Sequence, residues 1–138
     1  MKNLYKISLF ILFIISSCAA QKEMHNNIII EYKAQTRGSF LSIKVENDSI
    51  FYKTFNLEKT TALKEEEIQN IVVEVKKLNL SKISSLEAPS TKRFSDGALA
   101  ATIKIINSED TFISSEFDHE NPPKELLELY VLLVKYTK

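Results

Sequence analysis

Ile28-Ile29-Ile30-Glu31-Tyr32-Lys33-Ala34-Gln35 places Ile28, Ile30, Tyr32 and Ala34 on one side of an extended chain. Glu31, Lys33 and Gln35 fall on the other. This period of two predicts a half-buried β-strand, because successive strand side chains point to opposite faces. Thr36-Arg37-Gly38-Ser39 then reads as a turn, in which Gly38 can take a positive φ at little cost. From Phe40 to Glu46 the alternation resumes, with Leu41, Ile43 and Val45 sharing a face. Asn47-Asp48 is a hairpin signal, since both residue types tolerate the left-handed region. A third strand follows over Ile50 to Phe55, and connections this short predict a meander. Phe40 lies out of phase with Leu41, so it marks a strand end or an apolar patch on the opposite face.

Beyond the meander the period changes. Ile68, Ile71, Val72, Val75 and Leu78 form one stripe of an amphipathic helix. Glu65, Glu66 and Glu67 at its start and Lys76 and Lys77 at its end suit the helix dipole, and Asn79 is the expected stop. Leu80, Ile83 and Leu86 pin the next segment to the core. An irregular connection, Glu87 to Gly97, leads to a fourth strand over Ala98 to Ile106. Asn107 to Asp110 turns the chain into a fifth strand, Thr111 to Phe117. A last helix is expected from about Pro123, a residue suited to a first helical turn. Its buried stripe is Leu126, Leu129, Tyr130, Leu133 and Tyr136 or Thr137. The order βββ-α-ββ-α predicts an α+β fold: an antiparallel five-stranded sheet with two helices packed on one face.

Ahead of this lies a different kind of sequence. Lys2 and Lys6 precede a nine-residue run, Ile7 to Ile15, that is apolar apart from Ser8. The run is about half the ~20 apolar residues needed to span a bilayer, as in a secretion signal. It ends in Ile15-Ser16-Ser17-Cys18, which resembles the lipobox of bacterial lipoproteins. That resemblance implies cleavage before Cys18, with lipid on its sulfur and on its new amino terminus. The expected organisation is a signal peptide over 1–17, a lipidated tether over 18–27 and one α+β domain over 28–138. From Ala19 to Asn27 the tether reaches roughly 30 Å when extended, and His25 within it reads as solvated.

Composition narrows the function. Of 138 residues, loss of the first 17 leaves 121, enough for one modest core. Lys2 and Lys6 leave with the signal, so 18 basic against 18 acidic residues become 16 against 18, a net charge of −2. Without a basic excess, nucleic acid is not an expected partner. Cys18 is the lone cysteine, so no thiol remains for a disulfide, a zinc site or a nucleophile once it is acylated. No cofactor is expected.

Two clusters could carry chemistry: Arg93-Phe94-Ser95-Asp96-Gly97-Ala98, and Phe117-Asp118-His119-Glu120-Asn121-Pro122-Pro123. Pairing of the fourth and fifth strands would bring Arg93, Asp96, Asp118 and His119 to one rim of the sheet. In the structural reading, Arg93 pairs with Asp118 or Asp96, Asp96-Gly97 makes a tight turn, and Asp118 or Asn121 caps the last helix. In the functional reading, the rim recognises a small anion or other ligand. Metal binding by Asp118, His119 and Glu120 is not expected, because consecutive extended residues point to alternating sides. A Ser95–His119–Asp118 hydrolase would need a glycine-flanked elbow or oxyanion hole, and Gly38 and Gly97 supply neither.

The signal, the meander and the segments Arg-x-x-Asp-Gly-Ala (93–98) and Phe-Asp-His-x-Asn-Pro-Pro (117–123) together resemble small uncharacterised lipoproteins of Bacteroidota. The resemblance implies a Gram-negative envelope location and brings no established activity. Ala19-Ala20-Gln21-Lys22-Glu23 lacks an acidic export run and a retention aspartate, so the expectation is an outer-membrane anchor facing the periplasm, with surface exposure the other possibility. Three classes stay open: a non-enzymatic interaction module (adaptor, inhibitor or immunity-type) with an envelope protein partner, a small-ligand or ion-binding lipoprotein using the rim, and a small hydrolase. Cys18→Ala is expected to abolish acylation and release the protein from membranes. Fatty-acid labelling with membrane fractionation checks this, and labelling that survives the substitution rejects it.

Overall fold

The apolar rows read from the sequence become one face of a sheet. The computed structural model describes residues 28–108 and 110–138; the expected signal and tether segments, with Cys18 and His25, lie outside the described residues. Strands β1 (Ile29–Thr36), β2 (Ser39–Glu46) and β3 (Ser49–Thr54) form the meander. Tyr32 stands opposite Ile43 on one side and Ile103 on the other, while Ile30 stands opposite Val45 and Ile105. All of these side chains are buried. Asn47 turns the second hairpin at φ 56°, as its residue type allows. Gly38 takes no positive φ, so the first hairpin does not need that freedom.

The sheet has seven strands where the sequence predicts five. One addition is β4 (Glu58–Ala62), which pairs with β3 at the sheet edge. Its sequence, Glu-Lys-Thr-Thr-Ala, has no apolar alternation to announce it. Pairing along β3 makes it a strand, helped by its two β-branched threonines. Lys59, at its inner register position, donates to the carbonyls of Thr137 (3.0 Å) and Lys138 (2.8 Å).

The other addition comes from splitting the predicted fifth strand. Strand β5 (Ala100–Ile106) pairs with β1, and β6 (Thr111–Ile113) pairs with β5. Ser114 still donates its amide to the Ile103 carbonyl of β5 (2.9 Å), and the chain leaves the ladder at Ser115. Ser115 donates through its amide to Ile83 (3.0 Å) and through its hydroxyl to Leu86 (2.5 Å). It returns to β5 as the two-residue β7 (Phe117–Asp118). The order across the sheet is β4-β3-β2-β1-β5-β6, with β7 also on β5.

Helix α1 (Glu65–Lys77) buries Ile68, Ile71, Val72 and Val75, the predicted stripe. Glu67 accepts from the Lys64 amide at 2.8 Å and satisfies one of the open donors at the helix start. The segment Leu80–Ser85 is a 3-10 helix that buries Ile83. Pro122 and Pro123 lead into a 3-10 turn, Lys124–Leu126, so α2 (Leu127–Tyr136) begins four residues later than predicted. The two helices meet where Asn70 donates to the Tyr136 hydroxyl (3.3 Å), and both add to one core with the inner sheet face.

The opposite sheet face is charged. Glu31 there takes Lys104 (2.6 Å) and Lys33 (2.9 Å). Its burial raises the carboxyl pKa, but those two lysines outweigh the burial and leave the net shift downward. Phe40 sits at the end of this sheet edge-on to Phe55, 4.7 Å between ring centroids.

Ile71 is 1 % exposed in the helix–sheet seam. Ile71→Asp, which buries an unpaired carboxylate, is expected to cost several kcal/mol. Lys77→Ala removes only an exposed pair with Glu74 and should change stability by about 0.5 kcal/mol or less. Urea midpoints of the two variants check the assignment, and similar midpoints would refute it.

Candidate functional site

Asp118 is the most heavily bonded side chain at the rim. Strand β7 sets it opposite Ala100 at the end of the sheet, where it is 1 % exposed. Its Oδ2 accepts from the Ser90 hydroxyl (2.6 Å) and the Lys92 amide (2.8 Å). Its Oδ1 accepts from the Arg93 amide (3.0 Å) and from Arg93 Nη1 (3.1 Å). The two amides open a 3-10 turn, Lys92–Ser95, whose preceding residue Thr91 supplies no side-chain cap. Asp118 therefore caps that turn from a distant strand, taking donors that a local cap would otherwise satisfy. It does not cap α2, and neither does Asn121, because α2 starts at Leu127 without a side-chain cap.

Burial by itself would raise the Asp118 pKa. The bonds from Ser90, the Arg93 and Lys92 amides and the Arg93 guanidinium outweigh it and hold the carboxyl well below the usual carboxylate range. Arg93 Nη1 also donates to the Ser90 carbonyl (2.7 Å), and its guanidinium lies 4.3 Å from the Phe94 ring centroid. Arg93 Nε is buried with no partner among the described residues. Asp96 ends the turn in the left-handed region, φ 56°, and stands apart from the Arg93–Asp118 pair. Gly97 follows, with its amide on the Lys92 carbonyl (2.9 Å).

His119 points the other way, toward the core. Its Nδ1 lies 2.5 Å from the hydroxyl of Tyr32, a contact across 87 residues of chain. Burial, then the neighbouring Tyr130, push the Tyr32 hydroxyl strongly up, so it stays protonated. The Tyr32 hydroxyl and Nδ1 share this bond, with the donor set by the imidazole tautomer. Burial lowers the His119 pKa against the opposing pull of Glu120, whose carboxylate is 4.0 Å from Nε2.

His119 and Glu120 separate two hollows. One, about 540 Å³, is walled by Ser90, Lys92, Leu99, Asp118 and Asn121. The other, about 380 Å³, runs between α2 and the sheet and is lined by Tyr32, Tyr52, Leu57, Tyr130 and Val134. The tyrosine-lined cleft was not legible in the sequence, although Tyr32 among buried isoleucines signals a hydroxyl needing a partner.

The four rim residues thus do different things. Arg93 and Asp118 are spent on each other and on the 90–93 backbone, Asp96 shapes a turn, and His119 is 21 % exposed between the hollows. A Ser95–His119–Asp118 relay is not assembled: Ser95 donates to the Lys92 carbonyl (3.1 Å), and the Asp118 oxygens face Arg93, Lys92 and Ser90. No protein-family model matches the chain, and no curated protein matches it.

Asp118→Asn and Arg93→Lys should each lower the melting temperature by several degrees, with the double variant clearly less than additive. The sign with pH follows from the depressed carboxyl. Its contribution is complete above the unfolded carboxylate pKa of about 3.9 and is lost as pH falls through the lower folded value. Melts from pH 7 down to pH 2 should show an acid limb that Asp118→Asn flattens. Additive, negligible effects would overturn the pairing's structural role.

Proposed function

We propose that this chain is a membrane-anchored cell-envelope lipoprotein and a non-enzymatic interaction module, docking a partner on the outer face of α2. The observation that carries the reading is a second apolar stripe on that helix. Leu129, Leu133 and Tyr136 supply the buried face. Leu127 and Val131 follow one another at helical spacing on a different side and remain 42 % and 46 % exposed, and Val134, a turn further on, is half-buried against the core. A surface helix needs one apolar stripe to join its core, and an additional one marks a contact surface. Tyr130 and Val134 carry it into the tyrosine-lined cleft, and the exposed Leu57 stands on the far wall.

The rim chemistry favours this reading over a ligand site built on Arg93 and Asp118, since both Asp118 oxygens and Arg93 Nη1 are engaged within the fold. The envelope address rests on the Ile15-Ser16-Ser17-Cys18 signal. The proposed tether joins β1 at Ile29, beside Ile106, whereas Asp118 pairs with Ala100 beside Gln35. Six residues of strand, roughly 20 Å, separate these two ends. The rim therefore lies at the opposite end of β1 from the point where the proposed tether joins.

A photo-crosslinking residue at Leu127 in the full chain, expressed in a Gram-negative envelope, should yield a discrete protein adduct. The same residue at Lys53, on the charged sheet face, should not. Equal or absent adducts from both positions would reject α2 as the docking surface.

A further inference from the structure

We infer that the partner seated on the α2 stripe is a second copy of this chain, packed antiparallel about a two-fold axis near Val131 and Leu132. The inference rests on the reading of α2 as the docking surface and adds the identity of its occupant. The charges beside the stripe decide it. Glu128 and Lys135 are both exposed on α2 and lie two turns apart on the same flank of the Leu127–Val131–Val134 stripe. Among the described residues neither makes an ion pair within the chain.

Two helices brought together antiparallel by a two-fold axis set each flank against itself, reversed in direction. Glu128 of one copy then meets Lys135 of the other, and the symmetry makes that pair twice. A parallel two-fold pairing would instead set this flank against the opposite flank of the other helix, where Glu128 and Lys135 do not meet. The surface is thus complementary to its own antiparallel image, as an isologous interface must be. An unrelated partner would have to supply the opposite pattern on its own surface.

Size sets the strength. Ten helical residues span about 15 Å, so the contact falls short of the roughly 1,000 Å² expected of a stable interface. The free protein should associate weakly. On a membrane, tethered copies share a thin layer, and the raised effective concentration populates the pair.

The test uses the full chain in its membrane, with Val131→Cys as the reporter, since a residue near the axis faces its own copy. Under a mild oxidant, Val131→Cys should give a disulfide-linked species of twice the chain mass, and Lys53→Cys should not. Adding Glu128→Lys or Lys135→Glu alone should lower that yield by about fivefold or more, because each reversal acts at two symmetric pairs. Combining the two reversals should restore it. No linked species, or single reversals without effect, would overturn self-association. If the Leu127 photo-crosslink then still captures a different protein, the docking surface stands with another occupant. If it captures nothing, both readings fall.

Discussion

A carboxylate withdrawn from water at the end of the sheet constrains this structure more than any other single group. A buried ionised Asp118 is tolerable only if its oxygens are filled with donors, and four of them come from residues 90–93. That requirement folds a long irregular connection against β7, starts the 3-10 turn and fixes where β5 begins. It also removes Arg93 from the pool of residues able to greet a ligand. Asn121 extends the same network by donating to the Ser90 hydroxyl (2.7 Å), so the 119–121 turn is held from below by the same carboxylate system.

From that turn a second polar link runs inward. His119 reaches the Tyr32 hydroxyl at the centre of the sheet, and the Tyr32 ring packs edge-on against Tyr130 of α2, 5.3 Å between centroids. The central strand, the rim and the last helix therefore meet at one buried tyrosine. This arrangement presents Tyr130 and Val134 along the cleft while Leu129, Leu133 and Tyr136 stay in the core. Tyr32 combines an apolar body that fills the inner face with a hydroxyl that must be satisfied, and His119 satisfies it.

The legible parts of the sequence were those written in periodicity. The alternation of β1 to β3 and β5, the Ile68–Val75 stripe and the Asn47 hairpin all appear where local pattern and burial agree. Edge strand β4 was invisible because its exposed residues carry no alternation, and its conformation is imposed by β3. The split at Ser115 was hidden for a different reason: its cause lies in Ile83 and Leu86, some thirty residues upstream. At the site, strand pairing was enough to anticipate Arg93 near Asp118, but it put the cap on the wrong helical segment. Nothing local signals that a strand-end aspartate will cap a turn 25 residues earlier, or that Tyr32 and His119 will touch. The second stripe of α2 escaped because a helix apolar on most sides reads as buried until its neighbours are placed.

Placement of the neighbours turns that stripe from a packing question into a functional one. The inner sheet face offers only so much width, and α1 already covers part of it through Ile68, Ile71, Val72 and Val75. Helix α2 can bury Leu129, Leu133 and Tyr136 there, but the turn at 119–121 fixes its approach and leaves Leu127 and Val131 facing outward. A chain free to diffuse would gain little from so short an apolar strip. Held to a surface by the proposed lipid and a tether of roughly 30 Å, it meets its partners at a concentration that the strip alone could not command. In the proposed reading, weak intrinsic affinity and a fixed anchor are two parts of one device, in which membrane attachment decides whether the α2 face is occupied.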